Sequence, residues 1–145
     1  MAEKQLKGVS MVEHDLVIMA IEEKWPELRH GRDFLVAHPL CKVTGKQSGN
    51  PFILQWSAEQ IAQPNTTDFY ERAEELRPAY VAQRAKSRRD SLLAQSDWTQ
   101  MSHVPQETRE MWEVYRQALR DVTEQEGFPF EIVWPVSPGG EGLAN

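Results

Sequence analysis

Residues 88–138 read RRDSLLAQSDWTQMSHVPQETREMWEVYRQALRDVTEQEGFPFEIVWPVSP, and this stretch decides the fold. A helical pattern closes in Asp97-Trp98-Thr99-Gln100, where Asp97 suits an Asx-type turn and Trp98 an anchor for the returning chain. Pro105 then opens a second amphipathic segment, since a first helical turn does not need the N–H that proline lacks. Glu107 and Glu110 suit the positive end of the helix dipole. Trp112, Tyr115, Leu119 and Val122 recur at helical spacing on one side, with Met111 and Ala118 flanking. Gly127 stops that helix. Phe128, Phe130, Ile132 and Trp134 then alternate, as along an extended strip. Pro129 and Pro135 each remove a backbone donor, so the strip is not a central strand. The expectation is an antiparallel helical hairpin, joined by residues 96–104, with the strip packed across it.

Upstream, Gln63-Pro64-Asn65-Thr66-Thr67 marks a boundary and offers N-caps for a helix from about Asp68. Pro78 falls inside that helical pattern and predicts a kink, or a split into 68–76 and 78–95. Nearer the start, Val12, Leu16, Met19 and Ala20 lie at helical spacing over about 9–25, with Ile18, Ile21 and Trp25 on an adjoining face. Pro26 ends that helix. Residues 33–38 and 51–56 read as two strands around a hairpin loop rich in Gly, Ser and Asn. Ser57 and Gln60 have capping-box spacing for a single turn. Residues 1–8 read as a polar leader. The fold class that follows is α+β, mostly helical. A helix and β-hairpin lobe over 1–62 precedes a helical lobe over 66–145.

A chain of 145 residues with this share of Leu, Ile, Val, Phe and Trp has enough apolar side chain for a core. The net charge of −6 is uneven: residues 101–145 hold 3 basic and 8 acidic groups. That balance argues against a general nucleic-acid binder, which must neutralise phosphates. The one concentrated positive run is Arg84, Lys86, Arg88 and Arg89. It fits a solvated helix face, a pairing with Glu110, Glu113 and Asp121 of the next helix, or an acidic partner. A DNA-contacting regulator built on it is the least supported reading.

The single cysteine, Cys41, excludes an internal disulfide and a multi-cysteine metal site. His14, His30, His38 and His103 lack the tight ligand spacing of a zinc site. No nucleophile motif surrounds any serine, and the glycine-rich residues 139–142 lack a following helix to cradle phosphate. The expectation is a non-enzyme without metal or cofactor. No 18-residue apolar run predicts a membrane helix, and residues 1–10 lack the apolar centre of a signal peptide.

Several of these residues together resemble the phage tail assembly chaperone family. They are Arg89-Asp90, Leu92-Leu93-Ala94, Asp97-Trp98-Thr99-Gln100, Pro105 and Trp112. The run continues with Tyr115-Arg116-Gln117-Ala118-Leu119-Arg120-Asp121, Gly127-Phe128-Pro129 and Trp134-Pro135. It covers roughly the last two fifths of the chain. The helix, hairpin and tryptophan pattern of the N-terminal lobe is similar, more loosely, to part of some tail-chaperone relatives. The resemblance implies stoichiometric protein–protein binding that assists tail or tail-fibre assembly in the host cytoplasm. The partner it implies is a tail-fibre or other tail protein, with a trimeric fibre or a homo-oligomer both open. The alternative is a virion component that stays on the fibre or baseplate. Candidate partner-binding residues are Trp98, Phe128, Phe130 and Trp134 from the apolar stretch, and Arg84, Arg88 and Arg89 from the basic run.

Overall fold

A computed structural model describes residues 11–140 of the chain. The expected leader, the first residues of the expected first helix and residues 141–142 of the glycine-rich end lie outside the described residues. The elements are helix α1 (His14–Lys24), strands β1 (Phe34–Ala37) and β2 (Phe52–Trp56), helix α2 (Tyr70–Gln95) and helix α3 (Gln106–Arg120). Short 3-10 turns cover Thr66–Phe69, Asp97–Gln100 and Asp121–Glu124. This is the mostly helical α+β class expected from the sequence. Two compact units divide the chain at Arg77/Pro78, within α2. The expected boundary at 63–67 therefore falls inside the first unit.

In the first unit α1 buries Leu16, Val17, Ala20 and Ile21. Val12, Leu28, Phe34, Val36, Ile53, Phe69 and Ala73 are buried as well. Met19, expected on the core face, is instead exposed. The two strands pair antiparallel, with Phe34 opposite Trp56 and Ala37 opposite Phe52, and an irregularity between Leu35 and Val36. Phe34 and Val36 point inward from β1, whereas Phe52 and Leu54 of β2 face solvent and Ile53 takes the inward position. The Trp25 ring lies 5.7 Å from Trp56 and 5.9 Å from Phe69, edge-on or tilted as aromatic quadrupoles prefer. The Trp56 indole N–H donates to the Ile61 carbonyl at 2.7 Å, which satisfies its polar end.

Helix α1 has no local cap, because Glu13 makes no side-chain bond to the helix. Gln47 supplies one from the hairpin loop. Its Oε1 accepts the His14 N–H at 3.3 Å, and its Nε2 donates to the Val12 carbonyl at 2.7 Å. Asn50 Oδ1 accepts the Val12 N–H. The loop thereby answers the orphan amides that every helix start leaves. The cap expected from Asn65 does not form; Thr66 Oγ1 instead accepts the Ile53 N–H of β2 at 2.8 Å. A single turn follows Ser57, at residues 59–60, as its spacing to Gln60 suggests.

Helix α2 runs unbroken through Pro78, so the split expected there is corrected. The ring removes one helical donor and leaves the Glu74 carbonyl without its usual partner. Each half has packing of its own, since Ala73 and Ala85 are both buried. In the second unit Tyr115, Leu119 and Val122 are buried, as the spacing along α3 predicts. The connection after α2 is also packed: Ser96, Thr99 and Val104 are buried.

Candidate functional site

The end of α2 is closed by Ser96, not by the Asx turn expected at Asp97. The Ser96 hydroxyl shares its proton between the carbonyls of Leu92 and Leu93, at 3.0 and 2.9 Å. Thr99 Oγ1 donates to the Ser96 carbonyl at 2.6 Å. Arg116 of α3 reaches into this corner. Its Nη1 donates to the Leu93 carbonyl and to Ser96 Oγ, both at 2.7 Å, and its Nη2 donates to Asp97 Oδ1 at 2.8 Å. A planar guanidinium can fork over several acceptors in this way, whereas an ammonium acts as a point charge. Arg116 was part of the matched run, but nothing in that run says where it points. Its role depends on a serine and a carbonyl some twenty positions away, which no local spacing encodes.

Trp98 stands on this corner and is 51% exposed. Its ring meets Trp112 edge-on at 5.8 Å, and Trp112 meets Tyr115 at 5.6 Å. Trp98 is thus the outermost of three rings that lead inward to the buried Tyr115. Burial raises the Tyr115 phenol above its ordinary pKa, and the charge of nearby Arg88 offsets this in part.

The strip after α3 is shorter than the alternation suggested. Residues 126–130 turn, with both the Phe130 and Glu131 amides donating to the Gly127 carbonyl at 3.0 and 2.7 Å. A side chain on Gly127 would place its Cβ 2.3 Å from the Glu131 carbonyl oxygen, so the close approach requires glycine. Phe128 is half-buried and Phe130 is 58% exposed. They belong to the turn and not to one line with Ile132 and Trp134. Trp134 is half-buried, and the Arg88 guanidinium lies over its ring at 4.5 Å.

The basic run does not pair with the carboxylates of α3. Arg89 binds its neighbour Asp90 at 2.7 Å, and Arg84 lies over the Tyr80 ring at 5.7 Å. Of the seven candidates, the structure joins Arg88 to Trp134 and leaves Trp98 and Phe130 open to solvent. Arg84 and Arg89 serve local contacts on α2.

Three histidines that are scattered in the sequence meet in the first unit. The His14 ring lies 5.8 Å from that of His30 and 5.0 Å from that of His38. His14 Nε2 donates to the Val36 carbonyl at 2.8 Å. No group of three or more metal-ligating side chains is placed to hold an ion among the described residues. Hydrogen bonds from Thr44 hold the Cys41 thiol below its ordinary pKa. No described helix is long and apolar enough to cross a membrane.

Comparison with known families covers both units. Residues 17–82 match the model described as XkdW protein, and residues 82–139 match that of phage tail assembly chaperone protein. The two stretches meet at Ala82, about one turn of α2 beyond Pro78. Neither the curated proteins nor the solved structures give a match. Both matching families are associated with phage tails, and the match supports a role in tail assembly. The Arg116 corner, the ring series from Trp98 and the Gly127 turn all fall inside residues 82–139. Over residues 82–139 the chain is thus similar to the phage tail assembly chaperone family, which supports the resemblance seen in the sequence.

Proposed function

We propose that the chain assists tail assembly as a non-enzymatic, stoichiometric binder, with a tail-fibre or other tail protein as its client. One observation carries this reading: the unit that matches the family keeps large apolar side chains in water on a well-fixed framework. Trp98, Met101, Met111, Val114 and Phe130 are all exposed there. Where such exposed apolar groups adjoin in a patch, they make an interaction surface. Fibre subunits expose apolar strand edges before they trimerise, and such edges pair with one another and aggregate. A small protein that covers them suppresses aggregation by binding alone, in the cytoplasm where tails are assembled.

The test is co-expression of the full chain with a tail-fibre protein from the same phage. The soluble yield of the fibre is expected to rise, and the two proteins to co-purify at a fixed ratio. No rise and no co-purification with any tail protein would sink the reading. Recovery of the chain in purified virions at fibre stoichiometry would instead favour a lasting structural role.

A further inference from the structure

The outer side of α3 carries an apolar ridge beyond the residues it buries. Met111, Val114 and Ala118 share that side by their spacing of three and four. Met111 is 50% and Val114 74% exposed. Glu107 stands one turn before Met111, Glu110 one turn before Val114, and Asp121 three residues after Ala118. These carboxylates line the ridge. Glu110 takes a hydrogen bond from Gln106 and Asp121 one from Gln117, both neutral donors of the same helix. Among the described residues, no arginine, lysine or histidine forms an ion pair with Glu107, Glu110 or Asp121. Of the three arginines of α3, Arg116 turns to the Ser96 corner, Arg120 donates to Gln117, and Arg109 forms no ion pair with these carboxylates.

The hairpin of the first unit is a poorer dock for an added strand. The Phe34 carbonyl accepts the Gly31 N–H, the Val36 carbonyl is taken by His14, and the Ile53 N–H is taken by Thr66. Edges capped in this way resist pairing with another chain.

We propose that the α3 ridge docks a partner segment in which apolar side chains are flanked by Lys and Arg. This rests on the reading of the chain as a protein binder and names the chemistry of the segment bound. Charge complementarity selects the occupant. The ridge presents apolar surface among carboxylates without counter-charges, so a basic amphipathic segment gains contact and ion pairing together. A second copy of this chain, at net charge −6, would bring like charges to the same ridge.

The test titrates the full chain with a fluorescent peptide of about 15 residues, leucine at helical spacing and lysine elsewhere. An analogue with glutamate in place of lysine is the control. The lysine peptide is expected to bind, more weakly as salt rises, and the glutamate analogue not to bind. Val114→Asp and Glu110→Lys are each expected to weaken binding by about tenfold or more, and Glu113→Lys, on the far flank, by less than about twofold. Circular dichroism checks that each variant keeps its helix signal, and Val114→Gln replaces Val114→Asp if the latter does not fold. Equal binding by wild type and the folded Val114 variant overturns the proposal. So does a wild-type dimer that Val114→Asp turns into a monomer, because a second copy is then the occupant. In the co-expression assay, a Val114→Asp chain that rescues the fibre fully overturns the ridge and leaves the proposed function standing. A wild-type chain that fails to rescue removes that function, and the peptide titration then decides the ridge by itself.

Discussion

Gln125 holds Val133 by both ends of its side-chain amide. Its Nε2 donates to the Val133 carbonyl at 2.9 Å, and its Oε1 accepts the Val133 N–H at 2.8 Å. One side chain thus replaces the neighbouring strand that residues 132–137 lack. Gln125→Ala is expected to release the strip at a cost of about 1–2 kcal/mol, as two ordinary hydrogen bonds go. Gln125→Glu keeps the acceptor but loses the donor, and sets a carboxylate against the Val133 carbonyl. Amide hydrogen exchange at Val133 is the direct readout. Both variants should speed it, and unchanged exchange would show that the clamp does not hold the strip.

Gly127→Ala should destabilise the second unit. The added Cβ meets a backbone carbonyl, which cannot swing aside as a side-chain tip can. Overpacking of this kind typically costs about 1–3 kcal/mol. Gly139→Ala is the matched control, since nothing lies within 4 Å of a Cβ there. Urea denaturation of the pair should separate them clearly.

Removing Arg116 should cost more than removing its ion-pair partner. The Arg116 side chain is 11% exposed, and the Asp97 side chain 64%. Arg116→Met leaves the Leu93 carbonyl and Ser96 hydroxyl without their charged donor, a loss of about 1.5–3 kcal/mol. Asp97→Asn breaks an exposed pair worth about 0–1 kcal/mol. Arg116→Lys should fall between, because a point charge cannot serve all three acceptors. Equal destabilisation by Arg116→Met and Asp97→Asn would mean that the ion pair, not the corner, is what Arg116 holds.

Leu119→Ala should destabilise by about 2–5 kcal/mol, since it empties a site fully closed to solvent. Trp112→Ala should also destabilise, through lost ring contacts with Trp98 and Tyr115. Glu113→Ala lies on the exposed side and should stay within about 0.5 kcal/mol of wild type. Thermal melts of the three would check the assignment of faces.

Alkaline pH should weaken the fold through its tyrosines. Burial raises the folded-state pKa of Tyr70 and Tyr115 above the ordinary value of 10.0. The folded chain therefore keeps these phenols neutral where the unfolded chain already ionises them. Stability is full below the ordinary tyrosine pKa and falls as pH rises from there through the folded values. Tyr115→Phe should flatten that alkaline fall in a series of urea melts, and an unchanged slope would contradict the assignment.

Short-range spacing made much of the fold legible. Period-3.6 apolar positions identified α3 and its buried face, Pro105 marked its start, and two apolar runs around a Gly- and Asn-rich loop identified the hairpin; the end expected at Gly127 came earlier, at Arg120, where a 3-10 turn takes over. These signals are readable because each depends on backbone preference and on which side of one element is apolar. Candidate site residues were legible only as exposed-type aromatics and arginines. Their partners were not.

Tertiary structure decided what the polar side chains do. Gln47 caps a helix more than thirty positions away, Arg116 fastens the Ser96 corner, and Arg88 covers Trp134. A hydrogen-bonding group takes whichever partner the packed chain brings within about 3 Å, and no local pattern records that choice. Pro78 illustrates the same limit in the backbone. An interior proline costs about 3 kcal/mol, so local preference predicts a kink or a split, yet α2 is not split, because burial at Ala73 and Ala85 holds a helix on each side of the ring. The turn at 126–130 reverses the local alternation for a similar reason: Gly127 lets the carbonyl of Glu131 come so close that the chain folds back before its strip begins. Sequence thus determined where the apolar faces lie, while three-dimensional packing determined which polar groups met and which apolar ones, Trp98 and Val114 among them, stayed in water.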